Sequence, residues 1–336
     1  MQHGFGLSPL LQSHILEFSS DVPFERASEL LNTVLPDLEM SSSQCQRVVQ
    51  HFGSLEAVEE VLNTPGFDYE EVKEEACGQD RLLYVEVDGG HIRTDDGFRE
   101  TKAGRVFGHH LRYQKSSDYE GVNLRMALKQ SDYLAHLGNC QDFVRRFEVL
   151  IDNHIKQTPD VQVIAISDGA EWMERWLEEK YPDAILILDF YHAAEHLANF
   201  AKQVFEVEKE RTAWIDTHIQ KLLEGQIDEV VNAVEKVNKE QANATISEQA
   251  HRLINYYQNN RYRMKYDQYK AKGYCIGSGA IESAISTLIQ QRCKLVGQRW
   301  TNRVGPVLNI RAVFKSQKRQ QLRRVISQQM GYQAAA

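Results

Sequence analysis

VQVIAISDGAEWMERWLEEKYPDAILILDFYH, residues 161 to 192, carries two short apolar runs on either side of an amphipathic stretch. VQVIAIS and AILILDF are continuous rather than alternating, the pattern of strands buried on both faces of a sheet. Between them, AEWMERWLEEKY sets Trp172, Met173, Trp176 and Leu177 on one side of a helix. Strand, helix and strand in that order make a parallel crossover unit. The first run stops at Asp168-Gly169 and the second at Asp189, so acids stand at the carboxyl ends of strands, where open α/β sheets hold their ligands.

Upstream, RLLYVEVDGG (81–90) alternates Leu83, Val85 and Val87 with Tyr84, Glu86 and Asp88 before a double glycine, which predicts a strand ending at Asp88. AGRVFGHHLRYQ is a second strand, and a third is expected within 112–125. SDYLAHLGNCQDFVRRFEVLIDNHI (131–155) carries Phe143, Phe147, Leu150 and Ile151 at helical spacing. Beyond 191 the chain is helical to about 270, with a stripe of Ile227, Val230, Val231, Val234 and Val237. GYCIGSGAIES interrupts it with three glycines, and Ile281, Ala284, Ile285, Leu288 and Ile289 open a further amphipathic helix. Antiparallel strands first and helix-linked parallel strands second predict an α/β, ribonuclease-H-like mixed sheet.

The N-terminal 55 residues read as helices, PFERASELLNTVL and SSSQCQRVVQHFG, joined by PDLEM. A helix-turn-helix fits, and its second helix would bring Gln46, Arg47 and Gln50 to phosphates and base edges. Residues 56–78 are acidic and read as helix and linker, an acidic linker segment. The expected division is then a DNA-binding segment 1–55, a catalytic core in two parts (79–190 and 273–336) and a helical insertion 191–272. Net charge is −8, yet residues 252–336 hold 16 Lys and Arg against two acids, leaving −22 on the first 251. One end facing a polyanion accounts for that split. Five cysteines are scattered singly at 45, 77, 140, 275 and 293, with no C-x-x-C pair, which excludes a zinc ribbon or a disulfide framework. No run of 18 apolar residues and no basic-flanked leader are present, so the expected compartment is the cytoplasm, with no membrane partner.

VEVDGG and AISDGA end alike. If their strands lie side by side, Asp88 and Asp168 face one another, and two close carboxylates repel unless a divalent cation stands between them. Oxygen-only ligation favours magnesium or manganese. A two-metal site needs a third carboxylate, and Glu282 is the candidate, in the first turn of its helix. It is one of only two acids in the last 85 residues, followed by Arg292, Lys294, Arg299, Trp300 and Arg303, then Arg311, Lys315, Lys318 and Arg319. A competing pattern is H-x-x-E-H at 192–196, in which His192, Glu195 and His196 share a helical face as in zinc peptidases.

Together, VEVDGGHIRT, GRVFG, ISDGAEW, LDFYHAAEHL, GSGAIES and GQRWT resemble the bacterial Kra-type insertion-sequence transposases, which are similar to the Mutator-like branch of DDE transposases. The resemblance runs from about residue 5 to 325. It implies a ribonuclease-H-like catalytic domain interrupted by an all-helical insertion, a triad of Asp88, Asp168 and Glu282, and two Mg²⁺ or Mn²⁺ ions. It also implies DNA partners, both element ends and target, and a homodimer or larger assembly on DNA. Asp189 and His192 stand where that branch has a D/C-x-x-H motif and so fall on the rim of the site. Position 289 is Ile where some relatives carry a basic residue, which leaves DNA contacts from that helix to Gln290, Gln291, Arg292 or Lys294. Two other readings stay open at this level: an inactive DNA-binding remnant of a transposase, and the zinc peptidase.

Overall fold

The computed structural model describes residues 5–67, 81–109, 112–114, 126–241, 243–277 and 284–330. The chain divides into two compact units, Met1–Val161 with Glu282–Ala336, and Gln162–Ile281.

The first unit begins with four helices, α1 (Pro9–Asp21), α2 (Phe24–Val34), α3 (Ser42–Gly53) and α4 (Glu56–Asn63). Ser41 starts α3 with a full capping box: its hydroxyl accepts from the Gln44 amide while the Gln44 side chain accepts from Ser41 N–H. Val48, Val49 and Phe52 then fall on the buried side. Residues 56–63, the start of the stretch read as helix and linker, form α4, with Val58, Val61 and Leu62 buried at helical spacing.

β1 (Leu82–Thr94) and β2 (Gly97–Gly108) form a long antiparallel hairpin, and β5 (Asp132–Leu137) pairs with the other edge of β2. Short strands β3 (Arg112–Gln114) and β4 (Met126–Leu128) pair with each other. β1 does not end at Asp88 as its Asp-Gly-Gly suggested. The ladder runs six residues further, and the turn is made at Gly97, whose φ of 103° suits glycine. The two glycines are thus rungs of the ladder here rather than a reversal.

Period-two alternation sets Tyr84, Glu86, Asp88 and Gly90 on one face of β1, opposite Phe107, Arg105, Ala103 and Thr101 of β2. On this face Glu86 and Arg105 form a buried cross-strand ion pair, and Tyr84 stacks on Phe107 with centroids 4.9 Å apart. A Cβ on Gly90 would meet Ile285 at 3.5 Å and the Thr101 hydroxyl at 3.6 Å, so the helix at 284–293 lies against this face. The opposite face is covered by α5 (Cys140–Gln157). There a Cβ on Gly104 would stand 2.4 Å from the Phe147 ring, a fit only glycine allows.

The stretch 131–155, expected as one helix, is a strand followed by a helix. Tyr133, Leu134 and Ala135 are all buried in β5; Gly138 (φ 133°) turns the chain, and the Asn139 side chain caps α5 by accepting from the Asp142 amide. After residue 284 a π-helical turn (Ser286–Gln290) runs into α12 (Gln291–Cys293), followed by α13 (Gly305–Lys315) and α14 (Arg319–Gln329). The Arg311 guanidinium is buried among these pieces. It donates to Thr287 O at 3.0 and 2.7 Å, to Ser20 O at 2.8 Å and to the Asp21 carboxylate, so it closes both the π turn and the C-terminal end of α1.

In the second unit β6 (Gln162–Ser167) and β7 (Ile185–Leu188) are parallel, with Ile164 opposite Ile185, and α6 (Glu171–Lys180) joins them. Helices α7 (Phe190–Val204), α8 (Glu208–Leu223), α9 (Ile227–Gln241), α10 (Ala244–Asn260) and α11 (Tyr266–Ala271) follow. The stripe Ile227, Val230, Val231, Val234 and Val237 is buried. No helix among the described residues is long and apolar enough to cross a membrane.

The first unit also holds a charged core. Asp132, fully buried, contacts His154 Nε2 at 2.8 Å and Lys318 Nζ at 3.0 Å, and it accepts from the Gly66 amide at 2.7 Å. Burial alone would raise this carboxyl, but the His154 hydrogen bond and the Lys318 charge outweigh it and hold the pKa below the ordinary value. A depressed carboxyl stabilises the fold above its unfolded pKa, and the contribution disappears as pH falls through the folded one. Replacing Asp132 with Asn is expected to cost about 3–5 kcal/mol at neutral pH. When urea denaturation is repeated along a pH series, the gap to the parent should begin to narrow near about pH 4 and close only as pH falls through the depressed folded pKa.

Candidate functional site

Asp168 follows β6 directly. Gly169 takes a φ of 92°, a conformation that favours glycine, and a Cβ there would press on a Leu188 methyl at 2.9 Å. The sharp turn lets the Asp168 carboxylate accept from the Ala170 amide at 3.0 Å. Its main-chain carbonyl accepts from the Tyr256 hydroxyl at 3.0 Å. Asp168 therefore sits half-buried at a strand end, with its backbone fixed and no cation paired to it among the described residues. Beside the turn opens a cleft of about 540 Å³, lined by Gly169, Glu171, Glu174, Arg175, Glu178, Tyr256, Asn259 and Asn260.

Asp189 ends the next strand and caps α7, its Oδ1 accepting from the amides of Tyr191 at 2.8 Å and His192 at 3.4 Å. A Cβ on Gly277 would come 2.6 Å from that same oxygen, and Phe190 N donates to Ile276 O at 2.9 Å. The glycine-bearing segment is thus seated on the Asp189 cap. His192 occupies the first turn of α7, with its ring 4.9 Å from that of His196, and the His196 ring lies 4.3 Å from Tyr256. Partial burial, with the neighbouring His192 adding to it, lowers the His196 pKa and keeps that ring neutral at pH 7. Among the described residues no three His, Cys, Asp or Glu side chains stand where one ion could bind them all. His192, Glu195 and His196 are therefore no ready zinc set; the Glu195 carboxylate instead lies 3.9 Å from His192 Nδ1 and points outward, two-thirds exposed.

Asp88 is half-buried on β1, in the first unit, on the face that carries Gly90 and the buried Glu86–Arg105 pair. Asp168 belongs to the second unit, and Glu282 lies outside the described residues. Half-exposed aspartate oxygens are the donor type that suits a hard cation such as Mg²⁺. Tyr256 was not legible as a site residue. It arrives from α10, 88 residues after Asp168, and only its fold position brings it to that turn.

The expected basic surface is smaller than the sequence suggested. Arg292 is fully buried: Nε donates to Ser19 O at 3.1 Å, and the guanidinium lies 4.8 Å from the Trp300 ring and 5.3 Å from that of Phe24. Burial lowers its pKa to about 10. Trp300 is also buried, donating to Cys293 O at 3.2 Å, so neither residue can reach DNA in this fold. Arg311 and Lys318 are likewise internal. Gln50 is partly buried and donates to Arg303 O at 2.8 Å, tying α3 to the C-terminal region rather than pointing at a base. Gln46, Arg47, Lys294, Arg299 and Arg303 are exposed.

The profile of UPF0236, described as an uncharacterised protein family, matches residues 11–328, and the chain belongs to that family. No curated protein matches it. Among solved structures, the chain is similar to one titled "Drosophila P element transposase strand transfer complex", at 11% identity and a TM-score of 0.32. The likeness covers 82% of this chain and 62% of that one, so the chain spans less than two-thirds of that neighbour.

The division of the basic residues can be checked by stability. Arg292→Ala should cost about 1.5–3 kcal/mol in urea denaturation, the loss of a charged hydrogen bond. Lys294→Gln and Arg299→Gln should stay within about 0.5 kcal/mol of the parent.

Proposed function

We propose that this UPF0236 chain is a DNA transposase of the Kra-type bacterial insertion-sequence class. It hydrolyses a phosphodiester at element ends and joins the freed 3′-hydroxyl to target DNA, using a ribonuclease-H-like core and the triad Asp88, Asp168 and Glu282. The observation that carries this reading is that Ile285, three residues beyond Glu282, lies against β1 at Gly90, the next same-face rung after Asp88. The helix that starts at residue 284 and the strand bearing Asp88 are thus neighbours in one unit. Asp168 supports it from the other unit, at a strand end whose geometry is fixed by Gly169 and Tyr256.

Three carboxylates offering only oxygen would hold two Mg²⁺ or Mn²⁺ ions, which supply a charge clamp for in-line displacement at phosphorus. The chain's own residues do the rest. The β1–β2 ladder fixes the backbone of Asp88, and the turn at Gly169 fixes that of Asp168. Asp189 and His192 line the rim; Asp189 keeps the first turn of α7 closed, and His192 offers a ring nitrogen toward the phosphate backbone. Arg47, Lys294, Arg299 and Arg303 are exposed cations that can neutralise phosphates. Strand transfer at two ends calls for two copies of the chain on DNA.

The test is magnesium-dependent nicking of DNA taken from the borders of the coding frame. Alanine at Asp88, Asp168 or Glu282 should lower nicking by at least about a hundredfold, the upper end of what losing even an outer-shell partner of a metal costs, while gel-shift retention stays near the parent's. A variant that still nicks removes its residue from the mechanism. A parent that retains DNA yet nicks nothing with Mg²⁺ or Mn²⁺ sinks the enzyme and leaves an inactive DNA-binding remnant.

A further inference from the structure

Between α12 and α13 the chain makes a tight, well-built turn that presents an aliphatic tip to solvent. Gln298 N donates to Leu295 O at 3.0 Å, and Leu295 N donates to the Gln298 side chain at 3.3 Å. Gly297, at the third position, has a φ of 76°, the signature of a type II turn. Val296, at the second position, is fully exposed, and Leu295 is 40% exposed. Proline is the residue the second position favours, and a β-branched side chain in solvent gains nothing from the fold there. The base of the turn is fixed. Lys294 N donates to Gln290 O at 3.1 Å, Trp300 N to Arg93 O at 3.0 Å, and Asp95 N to Trp300 O at 2.8 Å. This last pair joins the turn to the tip of the β1–β2 hairpin, where Phe98 is 75% exposed.

The charges around the tip are of one kind on the turn side. Lys294 and Arg299 flank it, Arg303 follows, and Arg93 lies at its base, all exposed and none with a carboxylate partner among the described residues. Arg99, on the hairpin, is by contrast paired with Asp96 at 3.5 Å. No Asp or Glu follows Glu282 in the chain. Rigid aliphatic side chains set between unpaired cations match what opens a base step in a narrow groove: the cations hold the two phosphate backbones, and the apolar side chain takes the space between bases.

We infer that the Leu295–Gln298 turn is a DNA wedge, with Val296 and Leu295 entering a base step and Lys294 and Arg299 gripping the flanking phosphates. The inference rests on the reading of the chain as a DNA-acting protein, and the two fail in different ways. The experiment uses the full chain without metal and duplexes from the borders of the coding frame, carrying 2-aminopurine in place of adenine at successive positions. Binding of the parent should raise the fluorescence severalfold at one or two adjacent positions as the base unstacks. Val296→Asn, a change at a fully exposed site, should bring that signal down to the free-duplex level while gel-shift retention and the melting temperature hold. Lys294→Gln and Arg299→Gln should each reduce the salt dependence of retention by about one unit of slope. An unchanged rise with Val296→Asn overturns the wedge and leaves DNA binding standing. Fluorescence that persists while sedimentation shows Val296→Asn losing self-association overturns it in favour of a contact between copies. A parent that retains no duplex overturns the DNA reading and the wedge with it.

Discussion

One guanidinium holds the first unit together. Arg311 donates to the carbonyl of Thr287 twice, to that of Ser20 once and to the Asp21 carboxylate, so α1, the π turn and α13 meet at a single planar cation. A π turn leaves its carbonyls poorly satisfied by the helix itself, and the end of α1 does the same; a fork of five fixed donors answers both at once. Lysine could not, because its donors radiate from one point. The same helix lies against Asp88's face of β1 at Gly90, so this cation also seats the helix on the sheet. Arg292, clasped between Phe24 and Trp300, adds a second cation at the end of α1.

Much of the fold was open to reading from the residues. Continuous apolar runs bounded by acids and glycine identified β6 and β7, because strands covered on both faces have no polar phase to hide. The stripe in α9 was equally plain. What failed has a common cause, the reliance on local signals where the outcome is decided at a distance. Asp-Gly-Gly looked like the end of β1, but β2 pairs with β1 through Gly89 and Gly90 and carries it on to Thr94. SDYLAHL looked like the start of a helix because α5 is so strongly periodic, yet the edge of β2 recruits it as a strand.

The site residues divide along the same line. The places of Asp168 and Asp189 at strand ends were legible because each follows a strand of unmistakable pattern. Gln46 and Arg47 are exposed on α3 as expected, while Gln50, one turn on, is spent on a backbone carbonyl. The basic C-terminal region could not be sorted from sequence at all. A run of arginines has the same composition whether it faces solvent or a core, and here Arg292, Arg311 and Lys318 face the core. Only burial tells them from Lys294, Arg299 and Arg303, and burial is a property of the whole first unit. Tyr256 illustrates the opposite gap, a side chain from a distant helix that fixes the backbone of Asp168 with nothing in its own neighbourhood to announce it.

The salt-linked core around Asp132 ties segments far apart in the chain into one electrostatic knot. Lys318 reaches across from the loop before α14 to Asp132 and to the carbonyl of Leu62 at 3.0 Å, so without that ammonium the buried carboxylate is left to His154 and the Gly66 amide alone. Damage at the start of α14 is therefore felt in β5, through charge rather than through packing.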